Sequence, residues 1–245
     1  MLVVTGGASG NGRAIAQRFA EEGAAGVVVA DLQPEPREGG DATTARVESA
    51  GAKALYVQCD VSNPDDLVGA VAAAEEFGGV TVMVNNAGIM WAQDFLEVSP
   101  ERYDRLMDVN VKGVFFGSQA AARSMVQRGA SGAIVNIASV ASFVGSGPVA
   151  AYCAAKGAVR LLTLSLADAL GPHGIRVNGI YPGLVDTEMA RTDMGLDLEN
   201  SARACPLGRN ASPRDVADAA VYLASDMASY VNGASLLVDG GRVRA

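Results

Sequence analysis

Histidine and cysteine are scarce in this sequence of 245 residues. The single histidine, His173, excludes a histidine-based catalytic triad and a multi-histidine metal site. The three cysteines, Cys59, Cys153 and Cys205, are odd in number and widely spaced, and no pair forms a CxxC motif. This spacing indicates neither a disulfide framework nor a zinc site, and we predict no bound metal.

Positive charge and long apolar runs are also in short supply. The 27 aspartate and glutamate residues outnumber the 19 lysine and arginine residues, which gives a formal net charge of −8. Lys53, Lys112 and Lys156 are the only lysines, so the clustered positive charge typical of nucleic-acid-binding proteins and polybasic membrane anchors is missing. No apolar stretch reaches transmembrane length, and the N-terminus lacks a signal-peptide pattern. We therefore expect a cytoplasmic protein that binds neither nucleic acid nor membrane.

What the sequence does contain fits one large α/β domain. Hydrophobic residues make up 49% and charged residues 19% of the chain, which is typical of a compact globular protein. Short apolar runs alternate with helical patterns, and this alternation predicts a parallel sheet with right-handed crossovers. We predict an α/β fold, a single Rossmann-type doubly wound parallel sheet of about seven strands with helices on both faces. It spans residues 1–245, and its weakly patterned segment at about 187–208 is typical of a lid over a ligand.

A glycine-rich turn, TGGASGNG at residues 5–12, follows the first apolar strand directly and precedes a helical pattern. Glycines let the backbone approach a pyrophosphate, and a helix N-terminus offers N–H groups and a positive dipole end. Glycines also serve ordinary tight turns, which is the alternative interpretation. The position between a strand and a helix favours a phosphate cradle.

Asp31 closes the second predicted strand, about twenty residues after the glycines. A carboxylate at this place accepts hydrogen bonds from the adenosine ribose and repels a 2′-phosphate, so it predicts NAD rather than NADP as the cofactor. The alternative is a solvated loop acid. The nearest basic residues that could bind a 2′-phosphate are Arg13 and Arg37.

Ser139, Tyr152 and Lys156 follow a buried-strand pattern at residues 134–138. Tyr152 and Lys156 are four residues apart on a predicted helix that begins near Val149, so they lie on one face. A neighbouring ammonium lowers the pKa of a phenol, which would let Tyr152 exchange a proton near neutral pH. Ser139 could hydrogen-bond the same reacting oxygen. Taken alone, a tyrosine and a lysine at this spacing favour the alternative, an amphipathic helix residue and a solvated lysine.

Polar side chains also follow the fourth predicted strand and occur inside the next helix. The sequence NNAG at residues 85–88 combines asparagines that can tie strands together with a glycine that permits close approach to a ligand. Asn110 lies near the middle of a helix predicted from Pro100 to about Gln127. A buried asparagine there needs partners, which favours a structural or proton-relay role.

Taken together, the motifs resemble those of the short-chain dehydrogenase/reductase family, in the branch of about 250 residues. The resemblance covers nearly the whole chain and rests on an ordered set: TGxxxGxG at 5–12, Asp60, NNAG at 85–88, Asn110, Ser139, YxxxK at 152–156 and a PG turn with Thr187. Two departures are visible, because the first strand begins at Met1 and Asn11 replaces the usual isoleucine or leucine between the glycines.

The resemblance implies a role for each matching residue. Tyr152 would be the proton donor or acceptor, and Lys156 would lower its pKa and bind the nicotinamide ribose. Ser139 would hold the substrate oxygen, and Asn110 would position a water in a proton relay. The residues implied in cofactor binding, apart from Tyr152 and Lys156, are Gly6, Gly10, Asn11 and Gly12 at the pyrophosphate, Asp31 at the adenosine ribose, Asp60 and Val61 at the adenine, Asn86 at the nicotinamide ribose, and Val185 and Thr187 at the carboxamide.

The sequence therefore predicts an NAD-dependent oxidoreductase that transfers a hydride between nicotinamide and a secondary alcohol or ketone. One alternative is an NADPH-dependent carbonyl or 3-oxoacyl-thioester reductase, and another is a non-catalytic dinucleotide-binding sensor. The family resemblance implies a homotetramer, with a dimer next. We expect a largely apolar substrate pocket without a clamp for a carboxylate or phosphate, formed by Met90, Trp91, residues 140–143, Val149, Tyr181 and the lid.

Overall fold

The computed structural model describes residues 1–193 and 197–243, and it contains one parallel sheet of seven strands in the order β3-β2-β1-β4-β5-β6-β7. The strands are β1 (Leu2–Thr5), β2 (Gly26–Asp31), β3 (Lys53–Gln58), β4 (Val82–Asn85), β5 (Gly132–Ile137), β6 (Ile175–Pro182) and β7 (Ser235–Val238). Every pair of neighbouring strands is parallel. The predicted α/β class is confirmed.

Eight α-helices among the described residues connect and cover these strands. They are α1 (Gly10–Glu21), α2 (Thr43–Ser49), α3 (Pro64–Ala73), α4 (Pro100–Met107), α5 (Gly113–Gln127), α6 (Ala150–Leu170), α7 (Leu198–Arg203) and α8 (Pro213–Ala224). Successive side chains of β1 enter different cores, because Val3 packs with α3 and α5 whereas Val4 packs with α1 and α8. Helices therefore cover both faces of the sheet, as predicted.

The order of the strands reverses between β1 and β4. From β1 the chain adds β2 and β3 on one side, and it then returns to add β4 on the other side. In sheets of this kind ligands bind in the crevice at the carboxyl ends of the strands beside the reversal. Thr5 and Asn86 join the two strands there, since the Asn86 N–H donates to Thr5 Oγ1 at 3.0 Å and its side-chain amide donates to the Thr5 carbonyl oxygen at 2.9 Å.

The helix predicted from Pro100 to Gln127 is interrupted. A single π-helical turn, Asp108–Lys112, separates α4 from α5. The Asn110 side-chain amide donates to the Leu106 carbonyl oxygen at 3.1 Å, four residues earlier, and to the Ile89 carbonyl oxygen at 2.9 Å. A side chain that takes an i−4 carbonyl disturbs the regular α-helical ladder, which accounts for the wider turn. Prediction of one uninterrupted helix was therefore wrong.

A buried polar network ties the strands to the helices beneath the crevice. Asn85 and Asn136 are register partners on β4 and β5. The Asn85 side-chain amide donates to Asn136 Oδ1 and to Ser118 Oγ, both at 2.9 Å, and the Asn136 amide donates to Thr163 Oγ1 at 3.0 Å. The predicted role of the first NNAG asparagine in joining strands is confirmed. The network also fixes α6 relative to the end of β5.

One helical stretch among the described residues, Gly147–His173, passes a test of length and apolarity for crossing a membrane, with a mean hydropathy of 1.3. The sequence analysis expected no such stretch. The stretch contains α6, which packs on β6 and carries the buried Lys156, while Leu161 and Leu164 on its outer face are exposed. Helices of proteins outside membranes also pass this test, so the absence of membrane association stays a prediction.

Substitution of Gly69 by alanine is expected to stabilise the fold. Gly69 lies inside α3, and a Cβ built on it meets no atom within 4 Å. Alanine restricts the unfolded chain and has a higher helix propensity, so we expect the free energy of unfolding to rise by about 0.5–1 kcal/mol. Urea denaturation at fixed protein concentration measures this. An unchanged midpoint would mean that α3 is not a stable helix in solution.

Candidate active site

A cavity of about 760 Å³ opens at the carboxyl edge of the sheet, beside the strand reversal. Loops that follow β1, β2, β3, β4, β5 and β6 all contribute to its wall. Thirteen of the fourteen predicted site residues line it: Gly6, Gly10, Asn11, Asp31, Asp60, Val61, Asn86, Asn110, Ser139, Tyr152, Lys156, Val185 and Thr187. The exception is Gly12. The fold thus brings residues that are distant in the sequence to one place.

Gly12 lies behind the glycine turn rather than in the cavity wall. A Cβ built on Gly12 would lie 2.0 Å from the Gly6 carbonyl oxygen and 2.6 Å from Asn86 Nδ2. Gly6 and Gly10 adopt φ angles of +61° and +51°, which favour glycine. The three glycines therefore make the turn possible in different ways, two by conformation and one by close packing.

Asp31 is half-buried in the cavity wall, which is unlike a solvated loop acid. Its carboxylate accepts hydrogen bonds from the Ala8 N–H at 2.8 Å and the Leu32 N–H at 2.7 Å. Burial raises the pKa of Asp31, and these backbone hydrogen bonds oppose the rise. The turn that follows β1 therefore fixes the carboxylate at the end of β2.

Asp60 caps the turn that follows β3. Its carboxylate accepts from the Ser62 N–H at 2.9 Å and the Ser62 hydroxyl at 2.7 Å, and Arg105 lies 3.5 Å away. Burial acts to raise the pKa of Asp60, but the Ser62 hydrogen bonds and the Arg105 charge lower it overall. Arg105 also lines the cavity, and no sequence motif had pointed to it.

Ser139, Tyr152 and Lys156 meet where β5 ends and α6 begins. Ser139 Oγ accepts from the Ala141 N–H at 3.2 Å, and the Ser142 hydroxyl donates to the Lys156 carbonyl oxygen at 2.8 Å. These bonds fasten the loop after β5 to the first turns of α6. The Lys156 ammonium donates to the Ile137 carbonyl oxygen at 3.0 Å and lies 5.6 Å from the centre of the Tyr152 ring.

The predicted effect of Lys156 on the pKa of Tyr152 is not what this geometry produces. Burial raises the pKa of Tyr152 to about 12, and a hydrogen bond with Ser139 opposes the rise. Burial also lowers the pKa of Lys156 to about 8. The Lys156 ammonium is directed to the Ile137 carbonyl oxygen, and burial has the largest effect on both pKa values.

Asn110 presents an unused acceptor at the same end of the cavity. Its amide nitrogen is held by two carbonyl oxygens, whereas its buried Oδ1 has no hydrogen-bond partner. A Cβ built on Gly88 would lie 2.7 Å from that oxygen and 3.6 Å from Lys156 Nζ, so the NNAG glycine permits both side chains to converge. An unpaired buried acceptor beside an ammonium can accept a bond from a ligand or water.

Four of the pocket residues predicted outside the lid, Trp91, Ser142, Phe143 and Tyr181, do not line the cavity. Trp91 lies under the guanidinium of Arg102, 4.9 Å from the ring centre. Phe143 packs edge-to-face on the buried Tyr181 with ring centres 5.1 Å apart, behind the loop that carries Ser139. Their placement in the substrate pocket was wrong, because apolar side chains near a site are often recruited into the core. The lining retains Met90, Val140, Ala141 and Val149.

The structure adds polar residues that the sequence analysis missed. Arg242 and Ser201 line the cavity, and Arg242 Nη2 donates to Ser201 Oγ at 2.7 Å. This bond joins the segment after β7 to α7, which forms part of the predicted lid at 187–208. Residues 194–196 of that lid lie outside the described residues. We predicted no clamp for a carboxylate or phosphate here, and the Arg242 guanidinium that borders the cavity was not anticipated.

Glu38 was also missed. The sequence gives it no motif, but the loop after β2 folds back so that Glu38 borders the cavity and its carboxylate accepts from the Gly10 N–H at 3.0 Å. Within the described residues, no group of three or more histidine, cysteine, aspartate or glutamate side chains could hold a metal ion.

The residues present fit a nicotinamide dinucleotide. A glycine turn and the N-terminus of α1 border the cavity at a place suited to a pyrophosphate, and Asp31 offers a carboxylate for a ribose diol. Asn11 Oδ1 and Asn110 Oδ1 are buried acceptors with no partner among the described residues, so the wall holds unused hydrogen-bonding capacity at both the glycine turn and the π-helical turn.

Comparisons with known proteins agree with this geometry. A family model described as enoyl-(acyl carrier protein) reductase matches residues 6–242. The chain is 41% identical to an L-rhamnose 1-dehydrogenase (NAD(P)(+)) of Azotobacter vinelandii, over 98% of this chain and 95% of that protein.

Solved structures show the same likeness. A short-chain type dehydrogenase/reductase from Mycobacterium marinum is 35% identical and superposes with a TM-score of 0.92, over 100% of this chain and 95% of the other. A putative 2-deoxy-d-gluconate 3-dehydrogenase from Agrobacterium tumefaciens with bound NADP is 38% identical with a TM-score of 0.85, over 98% and 95% of the two chains.

Proposed function

The chain belongs to the short-chain dehydrogenase/reductase family, and from that premise we propose that it is an NAD-dependent dehydrogenase of secondary alcohols. As a family member it is an NAD(P)-dependent oxidoreductase that acts on CH–OH groups. The observation that carries the proposal is the convergence of Asn110, Ser139, Tyr152 and Lys156 on the cavity that also contains the glycine turn.

The cofactor, when bound, supplies or accepts the hydride. Its holders would be Gly6, Gly10, Asn11 and Gly12 around the pyrophosphate, Asp31 at the adenosine ribose, Asp60 and Val61 at the adenine, Asn86, Tyr152 and Lys156 at the nicotinamide ribose, and Val185 and Thr187 at the carboxamide. Gly12 would act by shaping the turn, since it does not border the cavity.

Tyr152 would move the proton. Its phenol would protonate a carbonyl oxygen as negative charge develops there, and in alcohol oxidation its phenolate would accept the proton of the alcohol. Ser139, which is hydrogen-bonded to Tyr152, would hold the same oxygen. The Lys156 ammonium and the unused Asn110 oxygen lie together against Gly88, where they would relay the proton toward solvent.

Asp31 supports NAD as the preferred cofactor. A fixed carboxylate beside the glycine turn attracts the ribose diol and repels an added phosphate. The relative named for NAD(P)(+) and the neighbour with bound NADP favour a second candidate, an NADPH-dependent reductase of carbonyl or 3-oxoacyl-thioester compounds. A sensor that binds dinucleotide without turnover is the third candidate.

The substrate would be a small alcohol or ketone. The cavity near α6 has apolar walls at Met90, Val140 and Val149 and polar groups at Ser201 and Arg242. Such a mixed wall suits a ring that carries hydroxyl groups, and L-rhamnose, named for one relative, belongs to that class.

A homotetramer is the proposed assembly. Phe115 on α5 and Leu161 and Leu164 on α6 are exposed apolar side chains, which a second copy of the chain would cover. A dimer is the next candidate. Cytoplasmic location and the absence of nucleic-acid partners stay predictions from composition.

A cofactor assay tests the proposal. Over a panel of secondary alcohols and hydroxylated rings, we expect kcat/KM with NAD⁺ to exceed kcat/KM with NADP⁺ at least tenfold. Asp31→Asn should lower this ratio of the two kcat/KM values by about tenfold, because one charge that repels the 2′-phosphate is lost. Asp65→Asn, which removes an exposed charge from the first turn of α3, should leave the ratio unchanged. Preference for NADP⁺ would support the reductase, and NAD⁺ binding without turnover would support the sensor.

A further inference from the structure

The loop after β2 closes over the glycine turn through two contacts. The Arg37 N–H donates to Ser9 Oγ at 2.8 Å, and the Gly10 N–H donates to Glu38 Oε1 at 3.0 Å. Ser9, Gly10, Arg37 and Glu38 all border the cavity. The Glu38 carboxylate therefore accepts a hydrogen bond from the first N–H group of α1, beside the part of the cavity where the dinucleotide would bind.

A buried cation holds Glu38 in this position. Arg13 Nη1 lies 3.3 Å from Glu38 Oε1, and the Arg13 side chain is only 7% exposed. Its guanidinium also donates to the carbonyl oxygens of Gly39 at 3.1 Å and Asp41 at 2.6 Å. Arg13 is thus anchored to the backbone just after Glu38, which fixes the loop and the carboxylate together.

Glu38 and Asp31 are attached to the same turn. The Asp31 carboxylate accepts from the Ala8 N–H and the Glu38 carboxylate from the Gly10 N–H. These two N–H groups are two residues apart, so they are separated by at most about 7 Å. A phosphate on the ribose hydroxyl that Asp31 would bind would then be on the side of the turn that also carries Glu38. The negative charge near this phosphate would therefore come from Glu38 as well as from Asp31.

We propose that Glu38 is a second determinant of dinucleotide selectivity, acting beside Asp31 against the 2′-phosphate of NADP. The proposal rests on the proposed function. The Glu38 carboxylate repels the phosphate directly, occupies the Gly10 N–H and neutralises Arg13, which is the nearest buried cation. Glu38→Gln would remove this negative charge, leave Asp31 in place and leave Arg13 without its acidic partner.

Calorimetric binding of adenosine fragments tests the proposal without turnover. The probes are 5′-AMP and 2′,5′-ADP, together with NAD⁺ and NADP⁺, at one ionic strength, against wild type and Glu38→Gln. Loss of one carboxylate that repels a doubly negative phosphate should raise affinity by about tenfold. We expect the Kd of 2′,5′-ADP and NADP⁺ to fall by about that factor more than the Kd of 5′-AMP and NAD⁺, which lack the 2′-phosphate.

Glu35→Gln is the matched control, because it removes the same charge from the same loop at an exposed position outside the cavity wall. It should leave all four affinities within twofold of wild type. Glu38→Asp keeps the charge and should retain the wild-type selectivity. A thermal melt of each variant verifies folding.

The possible results distinguish failure of the proposed role of Glu38 from failure of the proposed function. Unchanged 2′,5′-ADP affinity in Glu38→Gln, with 5′-AMP still bound, would overturn the role of Glu38 and leave the proposed function intact. An equal gain in Glu35→Gln would overturn it as well, because the effect would then belong to the general charge of the loop. Failure of wild type to bind any of the four probes would overturn the proposed function and this proposal together.

Discussion

Replacement of Tyr152 by phenylalanine is expected to lower kcat by about 10²–10⁴-fold, the range that general acid–base groups contribute. The phenol lies in the cavity and is hydrogen-bonded to Ser139, and burial raises its pKa to about 12. Phenylalanine keeps the ring and its place on α6 but removes the transferable proton. The dinucleotide should still bind within a few-fold of the wild-type affinity, since the glycine turn and Asp31 are unchanged.

Stopped-flow reduction of NAD⁺ beside calorimetric NAD⁺ binding separates chemistry from binding. Tyr103→Phe is the matched control, since Tyr103 lies on α4 with 41% exposure and does not border the cavity. It should keep wild-type kcat. Retention of more than a tenth of the activity by Tyr152→Phe would contradict the acid–base role, and loss of NAD⁺ binding would assign Tyr152 a structural role instead.

Much of the fold could be predicted because its signals are local. Strand lengths, glycine punctuation and helical periodicity alternate in the sequence, and only a parallel sheet accommodates that alternation with short connections. Parallel strands also place their carboxyl ends at one edge, so Asp31, Asn86 and Ser139 could be assigned to one site although 108 residues separate the first from the last.

The features that were missed depend on contacts between distant segments. The π-helical turn at Asn110 arises because Ile89 supplies a carbonyl oxygen to a side chain that also takes the Leu106 carbonyl oxygen. Glu38 and Arg242 enter the cavity wall only because a loop and the segment after β7 fold back onto α1 and α7. No periodic pattern in the sequence indicates where a distant segment will fold back.

The pKa of Tyr152 illustrates a second limit. A spacing of four residues correctly placed Tyr152 and Lys156 on one helix, but it gave no information on desolvation or on where the ammonium points. The Ile137 carbonyl oxygen receives the ammonium, and burial then dominates both pKa values. Sequence spacing predicts which groups are neighbours, whereas the balance of electrostatic effects requires the packed structure.

The glycine turn is the most sterically demanding part of the site, and Gly12→Ala should disable it. A Cβ on Gly12 would lie 2.0 Å from the Gly6 carbonyl oxygen and 2.7 Å from the Gly6 carbonyl carbon. Both are backbone atoms, so no side-chain rotation relieves the overlap, and the turn must open. We expect NAD⁺ affinity to fall at least about 100-fold and the free energy of unfolding to drop by about 2–4 kcal/mol.

Gly69→Ala serves as the control for this substitution, because it adds the same methyl group to a glycine of α3 that has open space around it. Calorimetry and urea denaturation of both variants at one protein concentration would show opposite shifts in stability and a binding defect confined to Gly12→Ala. Wild-type NAD⁺ affinity in Gly12→Ala would mean that the turn can rearrange without loss of its cradle. Close packing of Gly12 on Gly6 would then be incidental, and cofactor binding would depend on the N–H groups and Asp31 rather than on the tightness of the turn.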